Sequence, residues 1–360
     1  MKTQFKAVIL IFLFPALLFA NSNKPEAKQT KEKTYHKEYS VNSDAKLKVN
    51  NSFGNIDIVT WNENRIVIDV IVTVKGNDAD KVQKRLDGID VEFTASNSLV
   101  TATTKFGKKK SSWNWFGSND SSSMEINYTI KMPMTNAVDL NNDYGVINLN
   151  KLEGTAKINC DYGQLILGEL MADDNYLNFD YTSKSTIGYM KSGKINADYS
   201  GFTLDKVEQL ELNADYTNSE IVDVNNINYN CDYGKIVIDK AHTLAGNGDY
   251  ITHEIGKITG TLDLNADYGA IKIDRLTAST TNVKINSDYT TVKLGYDSGF
   301  NFDFIFKLRH ANLNGEKDLS VKHKSTDNST KNYTGYHGSE NSGNNININS
   351  EFGGVTLTKN

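Results

Sequence analysis

Apolar and polar residues alternate in short runs along this chain, and the runs repeat. From Leu262 the apolar positions are Leu262, Leu264, Ala266 and Tyr268, separated by Asp263, Asn265 and Asp267. A period of two is the mark of a strand with one buried face. After Gly269 the phase slips by one, and the apolar set becomes Ile271, Ile273 and Leu276. Glycine accepts backbone angles that other residues avoid, so the strand is expected to turn a corner there. By the same alternation the tyrosine belongs to the buried set, as a ring stacked inside the corner.

The unit recurs through most of the chain. Counterparts of Tyr268 are Phe53, Tyr144, Tyr162, Tyr181, Tyr199, Tyr216, Tyr233, Tyr250, Tyr289 and Phe352, spaced 17 to 21 residues apart between Tyr144 and Tyr289. Three residues before each ring stands an asparagine: Asn50, Asn141, Asn159, Asn178, Asn196, Asn213, Asn230, Asn247, Asn265, Asn286 and Asn349. Internal repetition at a fixed period is the signature of a solenoid. Two short strands per turn and about 18 residues per turn predict an all-β, single-stranded β-helix. Glycine follows some rings, but Thr182, Ser200, Thr217, Ile251 and Thr290 follow others. Lys184, Ser219 and His253 occupy a usually apolar position, so bulges or offsets are expected in those coils.

Outside the regular coils the pattern changes. Residues 1–20 carry Lys2 and Lys6 and then the apolar run Ala7–Ala20, too short for a membrane span of about 20 residues, and read as a secretory signal. Residues 21–44 are polar and lysine-rich, a flexible leader. Residues 45–136 form an N-terminal β region with one short helix expected over Asp78–Leu86 and ended by Gly88. Residues 137–299 hold the regular coils. Residues 300–360 hold the last coils, with a long polar loop inserted at about 315–343 and the repeat restored at Ile346–Leu357.

Composition narrows the function. Three prolines and 26 glycines in 360 residues suit an all-β chain. The formal net charge is −5, and about −7 once Lys2 and Lys6 leave with the signal, which disfavours a nucleic-acid partner. No second long apolar segment follows, so no transmembrane segment is expected in the mature chain. Cys160 and Cys231 lie four coils apart, roughly 19 Å at 4.8 Å per coil, beyond disulfide reach. They are expected to be buried free thiols.

Two features carry candidate chemistry. One is the segment 107–117, where Lys108, Lys109 and Lys110 precede Trp113, Trp115 and Phe116. Aromatics beside lysines on a loop can contact a membrane surface, a sugar or a partner protein, or can fold back to cap the solenoid. The other is an acidic ladder directly before the rings, including Asp161, Asp198, Asp215, Asp232 and Asp267. Stacked about 5 Å apart, such carboxylates repel by roughly 1 to 3 kcal/mol per neighbour, so something must offset the repulsion. Hydrogen bonds from backbone groups at the bend would do so. Calcium is a weaker alternative, because no dense acidic calcium loop is present, and no metal or cofactor is expected. The asparagines (Asn159, Asn196, Asn213, Asn230 and Asn265) and the tyrosines (Tyr162, Tyr199, Tyr216, Tyr233 and Tyr268) read as structural ladders. A row of tyrosines that bound carbohydrate would have to face outward, against the alternation.

The six histidines show no metal-ligand spacing, and no catalytic motif interrupts the coils. The repeated N-x-D-Y-G-x-I-x-I units and the opening N-S-F-G-N-I-D-I at Asn51–Ile58 resemble the bacterial candidate-adhesin family of β-strand-repeat proteins, a domain of unknown function. The resemblance covers roughly residues 45–360. It implies an exported β-helix of the periplasm or cell surface, non-enzymatic, binding or scaffolding an envelope protein or glycan. The alternative reading is a polysaccharide lyase or glycoside hydrolase on the same scaffold. Exposed end coils would permit a homo-oligomer.

Overall fold

Alternation turns into strands wherever one face finds a neighbouring coil to bury against, and this happens almost throughout the chain. A computed structural model describes residues 28–107 and 122–360. The chain divides into two units, residues 1–167 and 168–360. Both are parallel β-solenoids with added antiparallel strands, and α1 (Ala79–Asp87) is the single α-helix among the described residues.

In the first unit, β2 (Lys46–Ser52), β8 (Ala137–Asp143) and β10 (Ala156–Asp161) stack in parallel with Asn50, Asn141 and Asn159 in register. On the second side of these coils, β3 (Ile56–Trp61) pairs in parallel with β9 (Val146–Leu152). One further layer is made by β6 (Leu99–Phe106), parallel to β2, and β7 (Ser123–Pro133), parallel to β3. β4 (Arg65–Gly76) runs antiparallel to β7, and β5 (Ile89–Ala95) antiparallel to β6. Helix α1 starts where the Asp78 carboxylate accepts the Asp80 and Lys81 amides, and it buries Val82 and Leu86. The leader expected to be flexible is, from Gln29 to Ser40, a strand instead (β1), antiparallel to β4 along its whole length. Its alternation is muted in the sequence because the half-buried face carries Lys31, Lys33 and Lys37 beside Tyr35 and Tyr39, and pairing with β4 supplies the order.

In the second unit the coils climb in register from Asn175–Asp180 to Asn282–Asp288. The last coils are then stacked out of chain order. Asn345–Glu351 packs on Asn282–Asp288, and Phe302–Arg309 packs outside Asn345–Glu351. The C-terminal strand therefore fills a slot that the chain first skipped. The polar stretch expected as a loop at 315–343 is largely a hairpin of Ser320–Asp327 with Thr330–His337, and the second of these strands lies antiparallel on Phe302–Arg309. It closes the coil end over buried Phe302, Phe304 and Phe306. Lys322 and Lys324 on the outer strand discourage further strand addition.

Two expectations about the corners fail. The residue with left-handed backbone is the ring itself, with φ between 48° and 66° from Phe53 to Phe352, rather than the glycine after it. Gly269 is needed for space: a Cβ there would lie 2.1 Å from the Ile251 carbonyl oxygen. Where the position carries a hydroxyl, the side chain joins the ladder; Thr217 Oγ1 donates to the Ala197 carbonyl at 2.8 Å and accepts the Ser200 amide. The expected irregularity appears after Tyr181, where Lys184 adopts φ 59° and Ser185 takes the inward position opposite Phe202. It is absent at Ser219 and His253, which stay in register and buried.

Candidate functional site

The left-handed residue decides which way the rings point. Up to Ala266 the strand alternates as expected, but the αL backbone at Tyr268 breaks the alternation and turns its side chain outward. The tyrosines from Tyr144 to Tyr289 are 44 to 52% exposed. They are not part of the core, and the expectation of buried rings is wrong for this reason.

The exposed rings stack face to face. In the first unit Phe53, Tyr144 and Tyr162 follow one another at 5.1 Å between centroids, with Phe106 edge-on to Phe53. In the second unit an unbroken column runs from Tyr181 through Tyr289 and Phe352 to His310, with steps of 4.7 to 5.1 Å and interplanar angles of 2° to 7°. Each contact contributes about 1 kcal/mol beyond simple burial. Neighbours cover both faces of an interior ring, which leaves its edge and hydroxyl to solvent.

The aspartate row beside the rings is held by backbone amides. Asp180 Oδ1 accepts the Asp198 amide, Asp198 that of Asp215, Asp215 that of Asp232, and Asp232 that of Asp249, at 2.9 to 3.3 Å. A hydrogen bond to a charged acceptor is worth roughly 1.5 to 3 kcal/mol, comparable to the repulsion between neighbouring carboxylates. Desolvation, then Asp232 and Asp267, raise the Asp249 carboxyl above its usual range. Among the described residues no cluster of three or more acidic, histidine or cysteine side chains could hold a metal ion, and this includes the calcium candidates Asp161, Asp198, Asp215, Asp232 and Asp267. The asparagine row runs parallel. Asn159 donates to Asn141, Asn213 to Asn196, Asn265 to Asn247, Asn286 to Asn265 and Asn349 to Asn286, at 2.7 to 3.0 Å. Asn196 instead donates to the Tyr176 hydroxyl.

Cations end the acidic row in each unit and the asparagine row in the second, which the sequence reading missed. In the coil Phe302–Arg309, Lys307 stands opposite Asn349 and Arg309 opposite Glu351, to which it is ion-paired, and His310 completes the column. In the first unit Thr103 stands opposite Asn50, so Lys105 and Phe106 extend the row and the column; Lys105 pairs with Glu92 at 3.5 Å. The signal was present as alternation in Val100–Phe106 and Phe302–His310, hidden because Thr103 and Lys307 replace the asparagine. Arg309 is therefore the end of a ladder. At this end a groove of about 490 Å³ opens between Asn286, Asp288 and Asn349 on one side and Lys307, Arg309 and Thr330 on the other.

Desolvation first, then neighbouring phenols and carboxylates, raise Tyr199, Tyr233 and Tyr268 above the ordinary value. Inside the solenoid one coil breaks the apolar pattern. The Tyr229 hydroxyl meets His253 Nδ1 at 2.7 Å, both side chains are buried, and His253 Nε2 has no partner. Burial lowers His253 to about 4. Gly246 makes the room, since a Cβ there would lie 2.1 Å from the Tyr229 ring. Cys160 and Cys231 are free and buried, their thiols pushed up to about 12 by desolvation, which removes them as nucleophiles. Lys108, Lys109, Lys110, Trp113, Trp115 and Phe116 lie outside the described residues, as does the signal segment. No helix among the described residues is long and apolar enough to cross a membrane.

No family profile and no curated protein matches the chain. Several solved structures resemble it at low identity. A candidate adhesin from Parabacteroides distasonis is 12% identical over 72% of this chain and 96% of its own, with a TM-score of 0.36. A candidate adhesin from Parabacteroides merdae is 12% identical over 72% and 95%, with a TM-score of 0.34. A candidate lipid-binding protein from Parabacteroides distasonis is 9% identical over 90% and 96%, with a TM-score of 0.32. At these values the functional argument rests on the residues of this chain alone.

Proposed function

We propose that this chain is a non-enzymatic, exported β-solenoid that binds or scaffolds an envelope component, protein or glycan, through its repeating outer face. One observation carries the reading: exposed rings recur coil after coil with the same geometry from Tyr181 to Tyr289, and carboxylates held by backbone amides recur beside them from Asp180 to Asp232. A catalytic site needs a few convergent groups in one place, whereas repetition suits contact over length. In the second unit the row ends at Glu351, which is paired with Arg309, and this leaves a finite stripe. The lysine–tryptophan segment at 107–117 is a second candidate contact, and export through the N-terminal signal places the stripe in the periplasm or at the cell surface.

The test is capture from a cell-envelope fraction by the mature chain, compared with the triple variant Asp215→Asn, Asp232→Asn, Asp249→Asn and with the pair Trp113→Ala, Trp115→Ala. Asparagine keeps an oxygen for the backbone amide and removes the charge. Saturable capture that falls at least about tenfold in the triple variant is the expected result. Loss only in the tryptophan pair would move the contact to that segment. Absence of saturable capture would overturn the binding reading.

A further inference from the structure

A row of tyrosines could serve a carbohydrate only by facing outward, and the αL rings do face outward. The interior rings offer no open face on which a single sugar could stack, because each is covered by the next at 4.8 to 5.1 Å. What they offer is a line of hydroxyls with one carboxylate beside each, repeated at the coil spacing. We propose that the phenol–carboxylate stripe of residues 180–289 binds a linear β-1,4-linked glycan free of acid groups, laid along the stack at one sugar per coil.

Three observations support that ligand class, and the proposal rests on the reading of this face as a binding surface. The first is the repeat. An extended β-1,4-linked chain advances by nearly one coil spacing per sugar and turns each sugar over relative to the last, so every coil meets one sugar and every second coil meets the same sugar edge. The second is hydrogen-bonding capacity. A protonated phenol both donates and accepts, and each carboxylate from Asp180 to Asp232 has engaged one oxygen with a backbone amide and keeps the other for a sugar hydroxyl. The third is charge. Among the described residues no ion pair neutralises the row aspartates Asp180, Asp198, Asp215, Asp232, Asp249, Asp267 and Asp288, whereas the next acid in the row, Glu351, is paired with Arg309. Acidic polysaccharides are therefore repelled along the stripe, and amino sugars are favoured over neutral ones. Each sugar contributes little alone, so affinity should climb steeply with chain length, as for any linked set of weak contacts.

Isothermal titration of the mature chain with a glucosamine hexamer, cellohexaose and a galacturonate hexamer tests the class, and the corresponding dimers test the length dependence. The glucosamine hexamer should bind most tightly, its affinity falling with salt, cellohexaose more weakly, and the galacturonate hexamer and all dimers undetectably. The variant Tyr216→Phe, Tyr233→Phe, Tyr250→Phe removes hydroxyls and keeps the stack, as phenylalanine already does at Phe53 and Phe352. It should lose at least about tenfold in affinity with an unchanged melting temperature. Binding unchanged in this variant, equal binding of the galacturonate hexamer, or no binding of any hexamer to the unaltered chain would each overturn the proposal. The hexamer comparison needs no variant, so a misfolded triple mutant would not shield the idea. Envelope capture that persists while no hexamer binds would sink the glycan and leave the binding surface standing.

Discussion

Two residues before the ring, at one inward position of every coil, the two units bury different chemistry. The first unit places Asn51, Asn142 and Thr104 there, with Cys160 in its last coil, and the three polar side chains satisfy one another. Asn51 donates to the Ile126 carbonyl and to Asn142 Oδ1, Thr104 donates to Asn51 Oδ1 and meets the buried Tyr128 hydroxyl at 2.7 Å, and Asn142 donates to the Gly54 carbonyl. The second unit fills the position with small or apolar residues such as Ala197, Ala214 and Ala266. Elsewhere in its core the buried Tyr229 and His253 share one hydrogen bond, with His253 Nε2 left over. A closed network holds its members by mutual satisfaction, whereas an open pair keeps one group that would rather be in water.

Breaking the closed network should have the largest effect. Asn51→Leu strands the Ile126 carbonyl, Asn142 and Thr104 at once, and should destabilise the first unit by about 4 kcal/mol, taking 1 to 3 kcal/mol for each buried group left unpaired. Hydrogen exchange of β2, β6 and β8 would read it. A loss below about 1 kcal/mol would mean that the network is replaceable by apolar packing.

Acid should separate the two units next. His253 titrates near its ordinary 6.5 when unfolded and at about 4 when folded. Between those values the unfolded chain holds the extra proton, so the stability present above pH 6.5 falls as the pH drops toward 4. The ceiling is about 3 kcal/mol, at 1.36 kcal/mol per pH unit. His253 lies in the second unit, so the loss should be confined to residues 168–360. Exchange rates followed from pH 7 to 5 in each unit would show it. Persistence of the acid slope in His253→Phe would overturn the assignment, because the raised Asp249 carboxyl takes up its proton more readily when folded and would stabilise the unit in acid.

The smallest effect belongs to the outer ladders. Asn265→Ala removes one amide that donates to Asn247 and accepts from Asn286 on an exposed face, and should cost about 1 kcal/mol, seen as a small shift in the denaturation midpoint. An unmeasurable change would mean that water replaces the ladder bonds.

The sequence by itself determined the coil. Its length, its inward residues and the asparagine row follow from a repeat that each coil satisfies against the next. The helix at Ala79–Asp87 was legible because its cap, its buried pair and its stop all lie within a dozen residues. What lies within one coil is local, and local patterning survives into the fold. Tertiary structure decided the rest. Alternation counts every residue as extended, so it could not register that the ring at each corner takes a positive φ, and that single sign moved the tyrosines from the core to the surface. Pairing across long separations decided that Gln29–Ser40 is a strand, that Asn345–Glu351 enters the stack beneath Phe302–Arg309, and that Lys105 and Arg309 stand where the acidic rows end. The partner of His253 was settled the same way, because a hydrogen bond between residues 24 positions apart depends on register between coils and not on the residues around either one.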